Sequence, residues 1–162
     1  MTMILASPLW RIGVLAVALF LGFGLWSARA AGPEVNAPDG LAMHGYDPVA
    51  YFTDGEPAEG KAELTAEWNG ATYRFVTAAN RDAFVADPAA YAPQYGGYCA
   101  MGTSLGKKID VDPAQWRVVD GKLYLNSSAG AHNAWTQDVP GNIMKADGNW
   151  PEIKDKDPSE LN

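Results

Sequence analysis

The chain has 162 residues, and its 19 acidic side chains outnumber its 12 basic ones, which gives a net charge of -7. This acidic balance argues against a nucleic-acid partner, because phosphate contacts require basic patches. The single cysteine excludes an intramolecular disulfide, so a hydrophobic core must stabilise the fold.

An uncharged apolar segment follows Arg11 and extends over residues 12–26. Its length suits the hydrophobic region of a signal peptide and is short of the roughly 20 residues of a membrane span. Ala28–Ala30 (Ala-Arg-Ala) then provides the small residues of a cleavage site. We predict a signal peptide over residues 1–30, cleavage near Ala31 and export to the periplasm. The alternative is an uncleaved inner-membrane anchor with the domain facing the periplasm, and either way membrane contact is confined to this segment.

Residues 69–87 recur in residues 120–138 without a gap, which indicates two copies of one unit. Each copy begins with Asn-Gly or Asp-Gly, dipeptides that readily adopt the positive φ angles of a two-residue hairpin turn. Apolar and β-prone residues lie on both sides of each turn, so each copy predicts a β-hairpin. A short helix follows, beginning after Thr77 in the first copy and after Ser127 or Ser128 in the second.

Each predicted helix carries an aromatic residue, Phe84 or Trp135, and we expect these two at equivalent buried positions. A proline ends each helix, and a further short helix is expected after Pro140. We therefore predict an α+β fold in which two hairpin-helix (ββα) pseudo-repeats pack as one small domain over residues 31–154. The polar residues 155–162 form a C-terminal tail that is expected to fray.

Three motifs are spread over this domain: Gly45–Phe52 (GYDPVAYF), Tyr73–Phe75 with the helix after it, and Tyr95–Gly102 (YGGYCAMG). Together they resemble the YHS domain family, and more narrowly its exported branch, over roughly residues 41–151. The resemblance implies a role in heavy-metal trafficking or sensing, since YHS domains are similar to the cysteine-rich modules used for these tasks and occur beside copper-transporting ATPases. The family's motifs supply cysteines where this chain has Ala50 and Val76, and the thiol of this chain lies in the second copy instead.

Cys99 and Met101 are the first candidate metal ligands. They lie two residues apart in a glycine-rich loop, and a thiolate with a thioether is a soft ligand pair that favours Cu(I). His44 is the third candidate, because the segment that carries it could approach the Cys99 loop if the two copies pack face to face. These three residues predict a periplasmic protein that binds or traffics a soft metal, with a copper ion as its cofactor.

The alternative is a metal-free module that binds a small ligand or a protein. Cys99 is then a small buried hydrophobe and Met101 a core filler. Aromatic residues flank both motif loops and suit either a ligand groove or the core; they are Tyr46, Tyr51, Phe52, Tyr91, Tyr95 and Tyr98. The expected partner is a metal ion or a small ligand.

Catalytic motifs are missing from the sequence. It contains no Gly-x-Ser-x-Gly elbow, no His-x-x-x-His pair and no phosphate-binding glycine loop. The one enzyme hypothesis is a thiol enzyme with a dyad of Cys99 and His132. His132 matches Arg81 of the first copy, a position that we expect to be solvated. We therefore predict no catalytic residue.

Asp47 precedes a proline and is typical of a turn, with an acidic cluster of Asp47, Asp54, Asp110 and Asp112 as the alternative. Lys107 and Lys108 form a basic pair that predicts a solvated strand edge, with anion binding as the alternative.

Overall fold

The computed structural model describes residues 33–161. The predicted signal peptide over residues 1–30 and the cleavage site near Ala31 lie outside the described residues. Within them, the strands are β1 (Lys61–Trp68), β2 (Ala71–Phe75), β3 (Asp112–Val119) and β4 (Lys122–Asn126). The helices are α1 (Ala50–Thr53), α2 (Ala78–Ala86), α3 (Pro88–Tyr91), α4 (Ala100–Ser104), α5 (Ala129–Thr136) and α6 (Val139–Ile153). Short 3-10 helices cover Pro38–Gly40, Ala42–Gly45, Gln94–Gly97 and Pro158–Leu161.

The strands form two separate antiparallel hairpins, β1 with β2 and β3 with β4. Both close over the predicted turns, in which Asn69 (φ 48) and Asp120 (φ 51) adopt the left-handed conformation together with the glycines that follow them. Each pairing also shifts register towards the open end of its hairpin, between Lys61 and Thr65 in one and between Asp112 and Trp116 in the other. Helices and two small antiparallel sheets together make an α+β fold, as predicted.

Side-chain caps fix where the helices begin. The Thr77 hydroxyl accepts the Asn80 N–H at 3.0 Å at the start of α2, and the Ser128 hydroxyl accepts the Ala131 N–H at 3.2 Å at the start of α5. The cap of the second helix is therefore Ser128. The helix predicted after Pro140 begins earlier, at Val139, and is 15 residues long. Proline is tolerated there because the first turn of a helix needs no N–H bond.

The core is aromatic and includes both predicted anchors. Phe84 is 1% exposed and packs with Tyr73 and Phe75. Trp135 is 0% exposed and packs against Tyr124 at a ring-centroid distance of 5.4 Å. The aromatic residues of α2 and α5 are thus buried to the same extent.

The C-terminal residues differ from the frayed tail predicted over 155–162. A 3-10 helix forms at Pro158–Leu161, and Asp157 accepts hydrogen bonds from the N–H and hydroxyl of Ser159. In the described part of the chain, no helix has both the length and the hydropathy of a bilayer span.

Candidate functional site

Cys99 lies at the N-terminal end of α4 and is 1% exposed. Its sulfur accepts the backbone N–H groups of Gly102 and Ser127, both at 3.3 Å, and lies 3.7 Å from Oδ1 of Asn126. Gly102 is closely packed, because a Cβ there would lie 3.1 Å from the Ile109 side chain. The thiol is therefore a buried, hydrogen-bonded member of the core.

Asn126 is a site residue that the sequence analysis missed. It ends β4, is 0% exposed, and its Oδ1 accepts the Met101 N–H at 3.2 Å as well as the thiol. Its amide nitrogen, Nδ2, has no hydrogen-bond partner among residues 33–161. A buried N–H donor without an acceptor destabilises the folded state. The Asn126 amide is therefore a position at which a bound group or a chemical change could supply an acceptor. The available signal was an asparagine at the end of the apolar strand Lys122–Asn126.

Asp47 is a turn residue, as predicted, and it is also buried. The residue is 0% exposed, and its carboxylate accepts the N–H groups of Val49 and Val76, both at 2.8 Å, and the Asn80 side-chain amide at 2.7 Å. The bond to Val49 is a turn contact within the Asp-Pro motif, as expected from the sequence. The other two come from the segment after β2, so this carboxylate joins two parts of the first unit.

Asp47 and Cys99 occupy corresponding places. Each follows a 3-10 helix that contains left-handed residues, at Ala42–Gly45 and Gln94–Gly97 respectively. Each also accepts the N–H of the residue that directly follows the second strand of its hairpin, Val76 after β2 and Ser127 after β4.

The three predicted metal ligands each contact protein groups. The Ser104 hydroxyl lies 3.8 Å from the Met101 sulfur, and Nε2 of His44 lies 2.9 Å from Oδ1 of Asp110. His44 has a side chain that is 37% exposed, whereas Cys99 is in the core. Among residues 33–161, no three His, Cys, Asp or Glu side chains are grouped so that they could hold a metal ion. Copper binding by Cys99, Met101 and His44 stays a prediction.

The proposed catalytic dyad is not formed. The hydrogen-bond partners of the Cys99 sulfur in the described chain are Gly102, Ser127 and Asn126, and His132 is not one of them. His132 lies on α5, where it is partly buried and its Nδ1 atom has no partner among residues 33–161.

His44 belongs to a polar network around Asp110. Oδ1 of Asp110 accepts the Asn36 amide at 2.7 Å and the Val111 N–H at 2.8 Å in addition to the His44 ring nitrogen. Partial burial opposes ionisation of Asp110, but these hydrogen bonds outweigh it and lower the pKa of the carboxyl group. His44 itself has φ 53, a left-handed conformation that is uncommon outside glycine.

Lys108 is buried, so the expectation of a solvated strand edge is wrong for it. It is 4% exposed, and its ammonium group donates to the carbonyls of Pro33 at 2.6 Å, Lys154 at 2.9 Å and Lys156 at 2.8 Å. The same group lies 4.7 Å from the centre of the Tyr98 ring. Burial lowers the pKa of Lys108, and nearby carboxylates, Asp157 first, oppose that shift. The lysine thus connects the N-terminal and C-terminal segments.

A cleft of about 360 Å³ opens beside Lys108, and its lining consists of Pro33, Asn36, Ala37, Pro38, Tyr98, Lys108, Asp110, Asp157 and Pro158. Its volume lies within the range of small-molecule sites. Burial raises the pKa of Tyr98 to about 12, so its hydroxyl stays protonated and donates to the Pro33 carbonyl. Hydrogen bonds from Ser159 lower the pKa of Asp157. Two carboxylates and one ammonium therefore surround the cleft.

A second cleft, of about 400 Å³, lies between the β3–β4 turn and α6. It is lined by Val119, Asp120, Val139, Pro140, Ile143, Met144 and Asp147. Five of these seven residues are apolar and two are acidic, and Met144 is 74% exposed.

Three of the six aromatic residues near the two motif loops are buried, namely Tyr51, Tyr95 and Tyr98. Tyr51 is 2% exposed and donates to the Pro113 carbonyl, and Tyr95 is 6% exposed and donates to Asp147. Tyr98 is the aromatic residue of this group that also lines the first cleft.

Comparisons of the chain with protein-family models, with curated proteins and with solved structures found no match in any of the three. The resemblance to the YHS domain family therefore stays a prediction.

Proposed function

We propose that this chain is an exported binding module that takes a small organic cation in the cleft beside Lys108, Asp110 and Asp157. The observation that carries the proposal is the cleft itself, because it combines ligand-sized volume with converging polar groups. In this proposal residues 1–30 direct export to the periplasm, and residues 31–154 form a YHS-like domain.

The charge around the cleft favours a cation. All three N–H donors of the Lys108 ammonium are engaged by backbone carbonyls, so an anion would find no free donor on it. Asp110 and Asp157 are both held in the ionised form by hydrogen bonds. Pro33, Pro38 and Pro158 add apolar surface for the body of the ligand. The net charge of -7 on the whole chain would also attract cations.

The burial and the hydrogen bonds of Cys99 favour a metal-free binding module and not a protein that binds a soft metal. Its sulfur is buried and already accepts two N–H groups, and a metal would have to replace these contacts. His44 would have to leave Asp110 to join it. Soft-metal binding by Cys99, Met101 and His44 is therefore the competing proposal.

We further propose that the two units are pseudo-repeats packed as one domain. In support, the two hairpins have corresponding strand registers. Asp87 and Asp138 also cap α3 and α6 in the same way, since each side chain accepts the N–H of the residue three positions later. Phe84 and Trp135 are also buried to the same extent.

The cation proposal is tested by calorimetric titration of the mature protein with spermidine, choline and arginine, and with succinate as an anion. We expect at least one of the amines to bind and succinate not to. Asp157→Asn should weaken amine binding about tenfold, the cost of one charged hydrogen bond. Asp155→Asn is the matched control, because Asp155 pairs with Lys154 and does not line the cleft. Binding of succinate, or equal affinities in the two variants, would contradict the proposal.

The competing proposal is tested by titrating the protein anaerobically against a Cu(I) chelator, using wild type, Cys99→Ser, Met101→Leu and His132→Ala. Soft-metal binding requires about one Cu(I) per chain in the wild type, loss in Cys99→Ser, weakening in Met101→Leu and no change in His132→Ala. Equal competition by the wild type and Cys99→Ser would support the metal-free module.

A further inference from the structure

We propose that Cys99 is an oxidation site at which peroxide converts the thiol to a sulfinate, and that this anion is held as the Asp47 carboxylate is held in the first unit. A cysteine sulfinate has the same connectivity as an aspartate side chain, with two oxygens on the atom bonded to Cβ that share one negative charge, although it is pyramidal where the carboxylate is planar. The site that receives it therefore needs the hydrogen-bond donors of a buried carboxylate.

Asp47 shows which donors such an anion uses in this fold. They are the N–H of the residue two positions later, Val49, the N–H of the first residue after the hairpin, Val76, and the side-chain amide of Asn80. With these three donors the carboxylate is accommodated at 0% exposure.

The same three kinds of donor surround Cys99. The residue two positions later is Met101, the first residue after the hairpin is Ser127, and the side-chain amide belongs to Asn126. Ser127 already donates to the sulfur, and Met101 donates to Oδ1 of Asn126, 3.7 Å from the sulfur.

The amide nitrogen of Asn126 is the observation that points to an added acceptor. It is fully buried and has no partner in the described chain, although the other atom of the same amide contacts both the thiol and the Met101 N–H. Because Oδ1 faces the sulfur, Nδ2 lies on the other side of the amide, and a half-turn of the amide exchanges the two atoms. Nδ2 then faces the sulfinate, and Oδ1 no longer accepts from Met101. The Met101 N–H then donates to one sulfinate oxygen, as the Val49 N–H donates to Asp47. Oxidation together with this rotation thereby supplies acceptors for Nδ2 and for the Met101 N–H.

The chemistry needs two molecules of hydrogen peroxide and no second cysteine. In the first step the sulfur attacks one peroxide oxygen, the O–O bond breaks, and the thiol with one peroxide becomes a sulfenic acid and one water. In the second step the sulfenic acid with another peroxide becomes a sulfinic acid and one water. The sulfur is oxidised by two electrons in each step, and the sulfinic proton leaves to solvent. An unpaired thiol has no disulfide route within the chain that would compete with these steps.

The test is a peroxide titration of the mature protein followed by peptide mass spectrometry. We expect the peptide containing Cys99 to gain about 32 Da in a form that thiol reductants do not reverse. Tandem fragmentation must assign both oxygens to Cys99 and none to the neighbouring Met101. The exposed Met144 is the internal gauge of peroxide exposure. If Met144 is fully oxidised while Cys99 stays reduced, or if Cys99 passes directly to the sulfonate, the proposal is wrong.

A pair of variants tests the anion site without peroxide. Cys99→Asp places a carboxylate where the sulfinate would form, and Cys99→Asn is its neutral isostere. Since hydrogen bonds to a charged acceptor are stronger than those to a neutral one, the aspartate variant should melt about 4 °C above the asparagine variant at pH 7. An aspartate variant that melts at the same temperature or lower, or that does not fold while the asparagine variant does, would overturn the proposal. Neither test depends on whether the cleft beside Lys108 binds a cation.

Discussion

Replacing Lys108 by methionine is expected to lower the free energy of unfolding by about 3 kcal/mol. Its ammonium donates three hydrogen bonds, of 2.6, 2.9 and 2.8 Å, to carbonyls at the two ends of the described chain. Each charged hydrogen bond is worth about 1.5–3 kcal/mol, so the three together contribute more than the expected loss. Part of the loss of these hydrogen bonds is offset in the methionine variant. A methionine avoids the cost of burying an ammonium, and the carbonyls near the chain ends can form hydrogen bonds with water instead.

For a domain of this size the loss corresponds to a fall of about 10 °C in melting temperature. The assay is differential scanning calorimetry of the mature protein, with Lys107→Met as the matched control, since Lys107 is the exposed neighbour. Hydrogen exchange should also accelerate at residues 154–161 in the Lys108 variant, because Lys154 and Lys156 are released. Equal melting temperatures for the two variants would refute the role assigned to the ammonium.

Three further predictions follow from burial, charge and helix geometry. Phe84→Ala and Trp135→Ala, measured by urea unfolding, should each cost about 3–5 kcal/mol, and a Trp135 variant with an unchanged midpoint would contradict the shared role of these residues. Asp110 has a folded pKa below its ordinary value of 3.8, so its contribution to stability is present above that pH and is lost as the pH falls through the folded pKa. Acid unfolding curves should therefore show a smaller loss of stability below about pH 4 in Asp110→Asn than in the wild type, and parallel curves would count against this. Gly148→Ala should stabilise the protein by about 0.5–1 kcal/mol in a thermal melt, because Gly148 lies inside α6 and an added Cβ meets no atom within 4 Å; a lower melting temperature would argue against an intact helix there.

The local parts of the fold could be predicted from the sequence because their signals lie within a few residues of one another. The Asn-Gly and Asp-Gly turns, the helix cap at Thr77 and the buried positions of Phe84 and Trp135 are all confirmed. Each depends on backbone preferences or on apolar side chains within a single hairpin-helix unit.

The contacts of the site residues were harder to predict from the sequence, because their hydrogen-bond partners are distant in the chain. Two adjacent lysines are usually exposed to solvent, so the Lys107-Lys108 pair predicts a surface position. The burial of Lys108 depends on carbonyl partners that lie at opposite ends of the described chain. Asp47 has a turn bond, as its Asp-Pro motif indicates, but its burial comes from contacts with the segment after β2. Bonds between one side chain and a remote backbone group leave no periodic pattern in a sequence. Asn126 was missed for the same reason.

The separation of the strands into two independent hairpins also has a consequence for the order of folding. Each hairpin closes over a two-residue turn, so neither has to wait for a distant segment before its strands pair. Hairpins of this kind form in about 1–10 μs, much faster than pairings between remote strands. We expect the docking of the two hairpins to be the slow step, because Leu123 and Leu125 of β4 share one cluster with Phe75 of β2. Substitutions within a turn should accordingly alter the early phase of refolding, whereas substitutions in that shared cluster should alter the late one.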